Sequence, residues 1–77
     1  MTYVYVADNM RHAGTIAYDF LKDNENEVNR VVKRIPITIE FKNGDLFLFM
    51  SEVVFRDWKI GRRNYDTIQN WELKQNN

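Results

Sequence analysis

The sequence predicts an α+β fold: one small domain of order β-α-β-β-(α)-β, with a mixed sheet of about four strands built on a β-hairpin and one main helix packed on it. Three observations lead there. Two apolar runs, residues 37–42 and 45–50, flank Asn43-Gly44, a pair favoured in two-residue type I′ turns because both central residues need positive φ. Residues 2–7 (TYVYVA) are β-branched and aromatic almost throughout, which suits a strand covered on both faces. Met10, Ala13, Ile16, Ala17, Phe20 and Leu21 then recur at helical spacing, the stripe of a helix docked on a sheet.

Taken in order, the first strand ends at Ala7, and Asp8 stands where an N-cap belongs. The helix is expected over residues 9–23, with Arg11, His12, Thr15, Asp19 and Lys22 mainly on its polar side. Gly14 inside it either costs about 1 kcal/mol against Ala or marks a point of close packing. Asn24-Glu25-Asn26-Glu27 reads as a loop. Val28, Val31 and Val32 fit either a short helical stripe or the lead-in to a strand, because periodicity does not separate the two. Pro36 lacks a backbone donor and belongs at a strand start or on an edge.

With Asn43-Gly44 as a two-residue loop, Phe41 faces Leu46, Ile39 faces Leu48 and Ile37 faces Met50. Those six would share one sheet face, leaving Thr38, Glu40, Phe47 and Phe49 on the other. Ser51 follows as an N-cap for a helix over residues 52–60, with Val54, Phe55 and Trp58 on one side and Gly61 as the C′ residue. A strand is the alternative there. Residues 65–73 read as a strand by the alternation of Tyr65, Thr67, Gln69 and Trp71, although Asp66 with Gln69 also makes a capping box. Residues 74–77 should form a frayed tail.

Seventy-seven residues make a single domain, residues 1–77, with no room for a second independent core. No cysteine is present, so neither a disulfide nor a thiolate zinc site staples the chain, and a reducing compartment suits it. No apolar run reaches the roughly 20 residues of a membrane span, and no basic start with an apolar stretch marks a signal peptide. A soluble, cytoplasmic protein with no membrane partner is expected. Eleven basic and eleven acidic residues cancel, but unevenly: residues 1–27 carry a balance of −3, and residues 28–63 a balance of +4. That central excess is compatible with an anionic partner and too small to demand one.

The order of elements also resembles something specific. A strand ending in Ala7-Asp8-Asn9 enters a helix. Then come Phe41-Lys42-Asn43-Gly44-Asp45 with Leu46, Leu48 and Ser51, then Gly61-Arg62-Arg63, and finally Tyr65-Asp66-Thr67-Ile68-Gln69-Asn70-Trp71-Glu72. This is similar to the middle of the ATPase core of phage large terminases and related helicases, where an F-x-N-G hairpin and an R-G loop precede the Walker B strand. The resemblance implies a small phage-encoded protein with a degenerate ATPase-like core. It departs from the family where the chemistry lies. No G-x-x-x-x-G-K-[ST] phosphate loop exists, and Trp71 stands where the metal-binding Asp would be, with only Glu72 matching. Nucleotide hydrolysis is not implied.

Other chemistry is sparse. His12, the only histidine, lies close to Asp8 and Asn9 at a strand end, as a base or ligand would, and equally as a solvated helix residue does. No H-x-x-x-H or C-x-x-C spacing supports a metal. Ser51, the sole serine, has no nucleophile-elbow context, and Asp23 with Glu25 sits in a solvated loop where nothing raises a pKa. A non-enzymatic protein without cofactor or metal is expected.

The functional-looking segment is Arg56-Asp57-Trp58-Lys59-Ile60-Gly61-Arg62-Arg63-Asn64-Tyr65. Its candidate partner-binding residues are Trp58, Lys59, Arg62, Arg63 and Tyr65, since Trp, Tyr and Arg dominate protein-binding hot spots. The same mixture serves phosphate contact and base stacking, and Trp58 alone serves equally as a core residue. Arg30, Lys33 and Arg34 would extend the surface if the fold brought them near. Two functions follow: binding and modulating, by inhibition, a larger protein, or binding nucleic acid as an accessory domain. Zero net charge favours the first.

Overall fold

Strand β1 (Thr2–Ala7) lies inside the sheet, as its unbroken apolar run requires: Val4 is fully buried, and Val6 and Ala7 nearly so. The computed structural model describes residues 1–61 and 67–70, with side chains through Trp58. After β1 come α1 (Met10–Asp23), β2 (Val28–Val32), β3 (Ile37–Phe41), β4 (Leu46–Ser51), α2 (Glu52–Gly61) and β5 (Thr67–Asn70). The strands form one mixed sheet in the order β2-β3-β4-β1-β5. β1 runs parallel to both β4 and β5, whereas β2, β3 and β4 form an antiparallel meander. The α+β class holds, and Val28–Val32 is a strand. A 3-10 turn, Glu25–Glu27, leads into it.

The cap of α1 differs from expectation. Asn9, not Asp8, is the N-cap: its extended backbone (φ −151°, ψ 168°) places its side-chain oxygen to accept from the His12 N–H at 2.8 Å. Asn and Asp cap about equally well, so the choice falls to where β1 releases the chain. At the other end Asn24 closes the helix. Its backbone N–H reaches Phe20 and Leu21 carbonyls, and its side-chain amide donates to the Phe20 carbonyl at 2.8 Å. Ser51 caps α2 as expected, its Oγ accepting from the Val54 N–H at 3.2 Å. The helix continues through Gly61.

The hairpin is present, but its turn is not type I′. Phe41 N–H donates to the Asp45 carbonyl at 2.8 Å and Gly44 N–H to the Phe41 carbonyl at 3.0 Å. The loop therefore holds three residues, Lys42-Asn43-Gly44, and only Gly44 takes positive φ, at 95°. This is a turn closed by a left-handed glycine. Asn43 uses its side chain instead, accepting from the Asp45 N–H at 2.9 Å. The extra loop residue shifts the pairing by one: Ile37 faces Phe49, Ile39 faces Phe47 and Glu40 faces Leu46.

Such a shift exchanges partner faces, since side chains alternate with period two. Ile37, Ile39 and Phe41 thus share a face with Phe47 and Phe49, and the expected grouping with Leu46, Leu48 and Met50 is corrected.

Both faces of the central strands are consequently covered. Under α1 lie Ala13, Ile16, Ala17, Ile39, Phe47 and Phe49. Rings fill this layer: Tyr3 stacks on Phe47 and Tyr5 on Phe49, each at 4.8 Å, and Phe20 from the helix leans on both phenylalanines. Under α2 lie Val4, Val6, Leu48 and Met50, packed by Val54, Phe55 and Trp58. Phe49 and Met50, neighbours on β4, are both fully buried on opposite faces.

Candidate protein-docking face

The α2 helix sits where β4 hands the chain toward β5, packed on β4 and β1. Its inward side is fixed by the spacing Val54, Phe55, Trp58, the residues that reach the second core. Phe55 and Trp58 stack with ring centroids 6.1 Å apart and planes 26° apart, and both are partly buried. The outward side carries Val53, 66% exposed, among the exposed Glu52, Arg56 and Asp57. Arg56 reaches back to Glu52 at 3.6 Å, one turn away, an exposed pair worth a few tenths of a kcal/mol. The helix thus offers an exposed apolar side chain among charges on one side and two partly buried rings on the other.

Of the residues singled out by sequence, Trp58 packs on the second core and keeps a partly exposed ring. Lys59 follows within α2. Arg62, Arg63 and Tyr65 lie outside the described residues. Arg30, Lys33 and Arg34 belong to another region, on and just after the outermost strand β2, with β3 between them and the strands that α2 covers.

At the carboxyl end of β1, His12 Nδ1 lies 3.2 Å from Asp8 Oδ1, one helical turn apart. Close by, Ser51 N–H points to the Met10 sulfur at 3.2 Å. Among the described residues no group of three or more His, Cys, Asp or Glu could hold a metal ion.

A second feature escaped the sequence reading: a groove of about 310 Å³ between α1 and the β2–β3 side of the sheet, lined by Gly14, Ala17, Tyr18, Leu21, Val31, Lys33, Ile37 and Ile39. Its helical wall is the i, i+3, i+4, i+7 series Gly14, Ala17, Tyr18, Leu21, which overlaps the core stripe and hid behind it. Tyr18, 63% exposed, was the available signal, an aromatic on the margin of that stripe. No helix among the described residues is long and apolar enough to cross a membrane. Comparison with protein-family models, curated proteins and solved structures found no match.

Proposed function

We propose that this chain is a non-catalytic binding domain that docks on a larger protein and modulates it by inhibition, as small phage-encoded proteins do. The docking face is formed by α2, through the exposed Val53 and the partly exposed Trp58, and by the residues that follow in sequence, Lys59, Arg62, Arg63 and Tyr65. The observation that carries this reading is the Phe55–Trp58 stack, only partly buried on one side of α2, with Val53 exposed on the other side of the same helix. Trp, Tyr and Arg are the side chains over-represented in hot spots, and Trp58, Arg62, Arg63 and Tyr65 supply all three.

The test is affinity capture from the cells that encode the chain, read by mass spectrometry, with the parent protein, Val53→Arg, and a double Arg62→Ala/Arg63→Ala variant. Val53→Arg should keep the parent circular dichroism, because exposed substitutions move stability by about 0.5 kcal/mol or less, and the double arginine variant is compared at matched circular dichroism. Each should weaken capture of the same partner by about 2 kcal/mol or more. Equal capture by all three proteins sinks the proposal. Tight binding to nucleic acid that collapses with added salt would instead favour the accessory-domain reading.

A further inference from the structure

We infer that two copies of this chain associate edge to edge through β2, in antiparallel fashion, continuing the sheet across a two-fold axis. Among the described residues β2 is the outermost strand, with β3 as its single neighbour. Its outward backbone N–H and C=O groups therefore form an open template for another strand. The charges around it run in one direction. Glu25 and Glu27, exposed, precede the strand, while Lys33 and Arg34, exposed, follow it. None of these four takes part in an ion pair within the described residues.

Antiparallel pairing sets the acidic end of one copy beside the basic end of the other, and symmetry repeats the match at the far end. Parallel pairing would oppose like charges, which is unfavourable across strands. An unrelated strand would need the complementary sequence of charges; a second copy has it by construction. Near the axis Arg30 does not meet its counterpart as a bare charge, because Glu40 holds it at 3.4 Å.

The side chains point the same way. A two-fold perpendicular to the sheet keeps both copies of α1 on one face, so the groove beside β2 opens onto the seam in each copy. Tyr18, 63% exposed on the groove wall, and Ile35, 67% exposed just beyond β2, are the large apolar groups that a neighbour at this edge would cover. The bulge at Asn29 sits between the pairs Val28–Phe41 and Arg30–Glu40. Bulges blunt edges, and this one confines the regular ladder to residues 30–32, leaving charge and groove contacts to fix the register. α2 packs on β4 and β1 and stays clear of the seam. The dimer thus presents two docking faces, and a partner with two sites would be held by both.

The experiment is sedimentation velocity of the full chain over a concentration series at low and high salt. The parent should sediment as a dimer at high concentration, with dissociation promoted by salt. Lys33→Glu/Arg34→Glu and Glu25→Lys/Glu27→Lys should each raise the dimer dissociation constant by about tenfold or more, as expected when opposed charges become like charges. Mixing the two variants should restore a dimer of mixed composition, because each then supplies what the other lacks. Hydrogen exchange of the parent gives an independent readout, the amides of β2 slowing as concentration rises. A parent chain that stays monomeric throughout overturns the inference. So does a dimer indifferent to both charge reversals, a mixture that fails to reassociate, or β2 amides whose exchange ignores concentration.

Discussion

At Gly44 a single dihedral decides the register of the hairpin. Its φ of 95° is open to glycine and strained for residues with a branched Cβ. A Cβ there would meet nothing within 4 Å, so the cost of substitution is backbone strain alone. Gly44→Val should destabilise the fold by about 1–3 kcal/mol, read as a drop in thermal midpoint; an unchanged midpoint would mean the turn does not need that conformation. The Asn43-Gly44 pair was legible as a turn. Its length was not, because the same dipeptide ends a three-residue loop as readily as it fills a two-residue one, and the difference lies in which residue takes positive φ. Tyr5 supplies a pH dependence at this scale. Burial first, and the neighbouring Tyr3 second, raise its pKa above the ordinary 10.0. The folded state thus holds the phenol proton more tightly than the unfolded chain. Its contribution is complete below the unfolded value and is lost as pH rises through the raised folded value. Tyr5→Phe should flatten the alkaline limb of a stability–pH curve; identical alkaline limbs would refute the assignment.

Helices were the most legible elements, because each joins an apolar stripe to a cap. For α1 the stripe Ala13, Ile16, Ala17 and Phe20 settled its place on the sheet, and only the cap slipped by one residue, between two equally good capping side chains. For α2 the Ser51 cap tipped a segment whose Val, Phe and Trp also suited a strand. Ser51→Ala should cost about 1 kcal/mol in chemical denaturation, and no change would show that the Oγ contact to Val54 is idle. Gly14 was left open between close packing and mere cost. A Cβ there would lie 3.9 Å from Ile37 Cδ1, an ordinary contact, so no close approach demands glycine. Gly14→Ala should therefore stabilise by about 0.5–1 kcal/mol through the reduced freedom of the unfolded chain, and a loss of stability would contradict that reading. β2 was the least legible element. Only Val28 and Val31 face the α1 core, and the Asn29 bulge breaks the alternation that would have marked a strand. Of the proposed docking residues on α2, Trp58 was readable from the sequence. Val53 was not, since nothing in local spacing tells an outward valine from an inward one when three apolar residues run together.

At the scale of the whole molecule, two apolar layers hang on one strand. β4 gives Phe47 and Phe49 to the layer under α1, and Leu48 and Met50 to the layer under α2. β1 does the same beside it with Ala7 against Val4 and Val6. Neither layer can be lost alone, because removing β4 or β1 strips both, and a chain of this length has no further core to fall back on. Unfolding should therefore be a single transition. Trp58 reports on the α2 layer and the tyrosines Tyr3 and Tyr5 on the α1 layer, so the two sides carry separate probes. In a Trp71→Phe background, which leaves Trp58 as the sole indole, Trp fluorescence and far-ultraviolet dichroism should trace the same denaturation curve. Phe49→Ala removes a ring buried wholly on the α1 side and should cost about 3–5 kcal/mol. If the layers are coupled through β4, it must lower the midpoint of the Trp58 signal, on the opposite face, by as much as it lowers the dichroism. A Trp58 transition left in place while the dichroic one moves would show two independently melting layers.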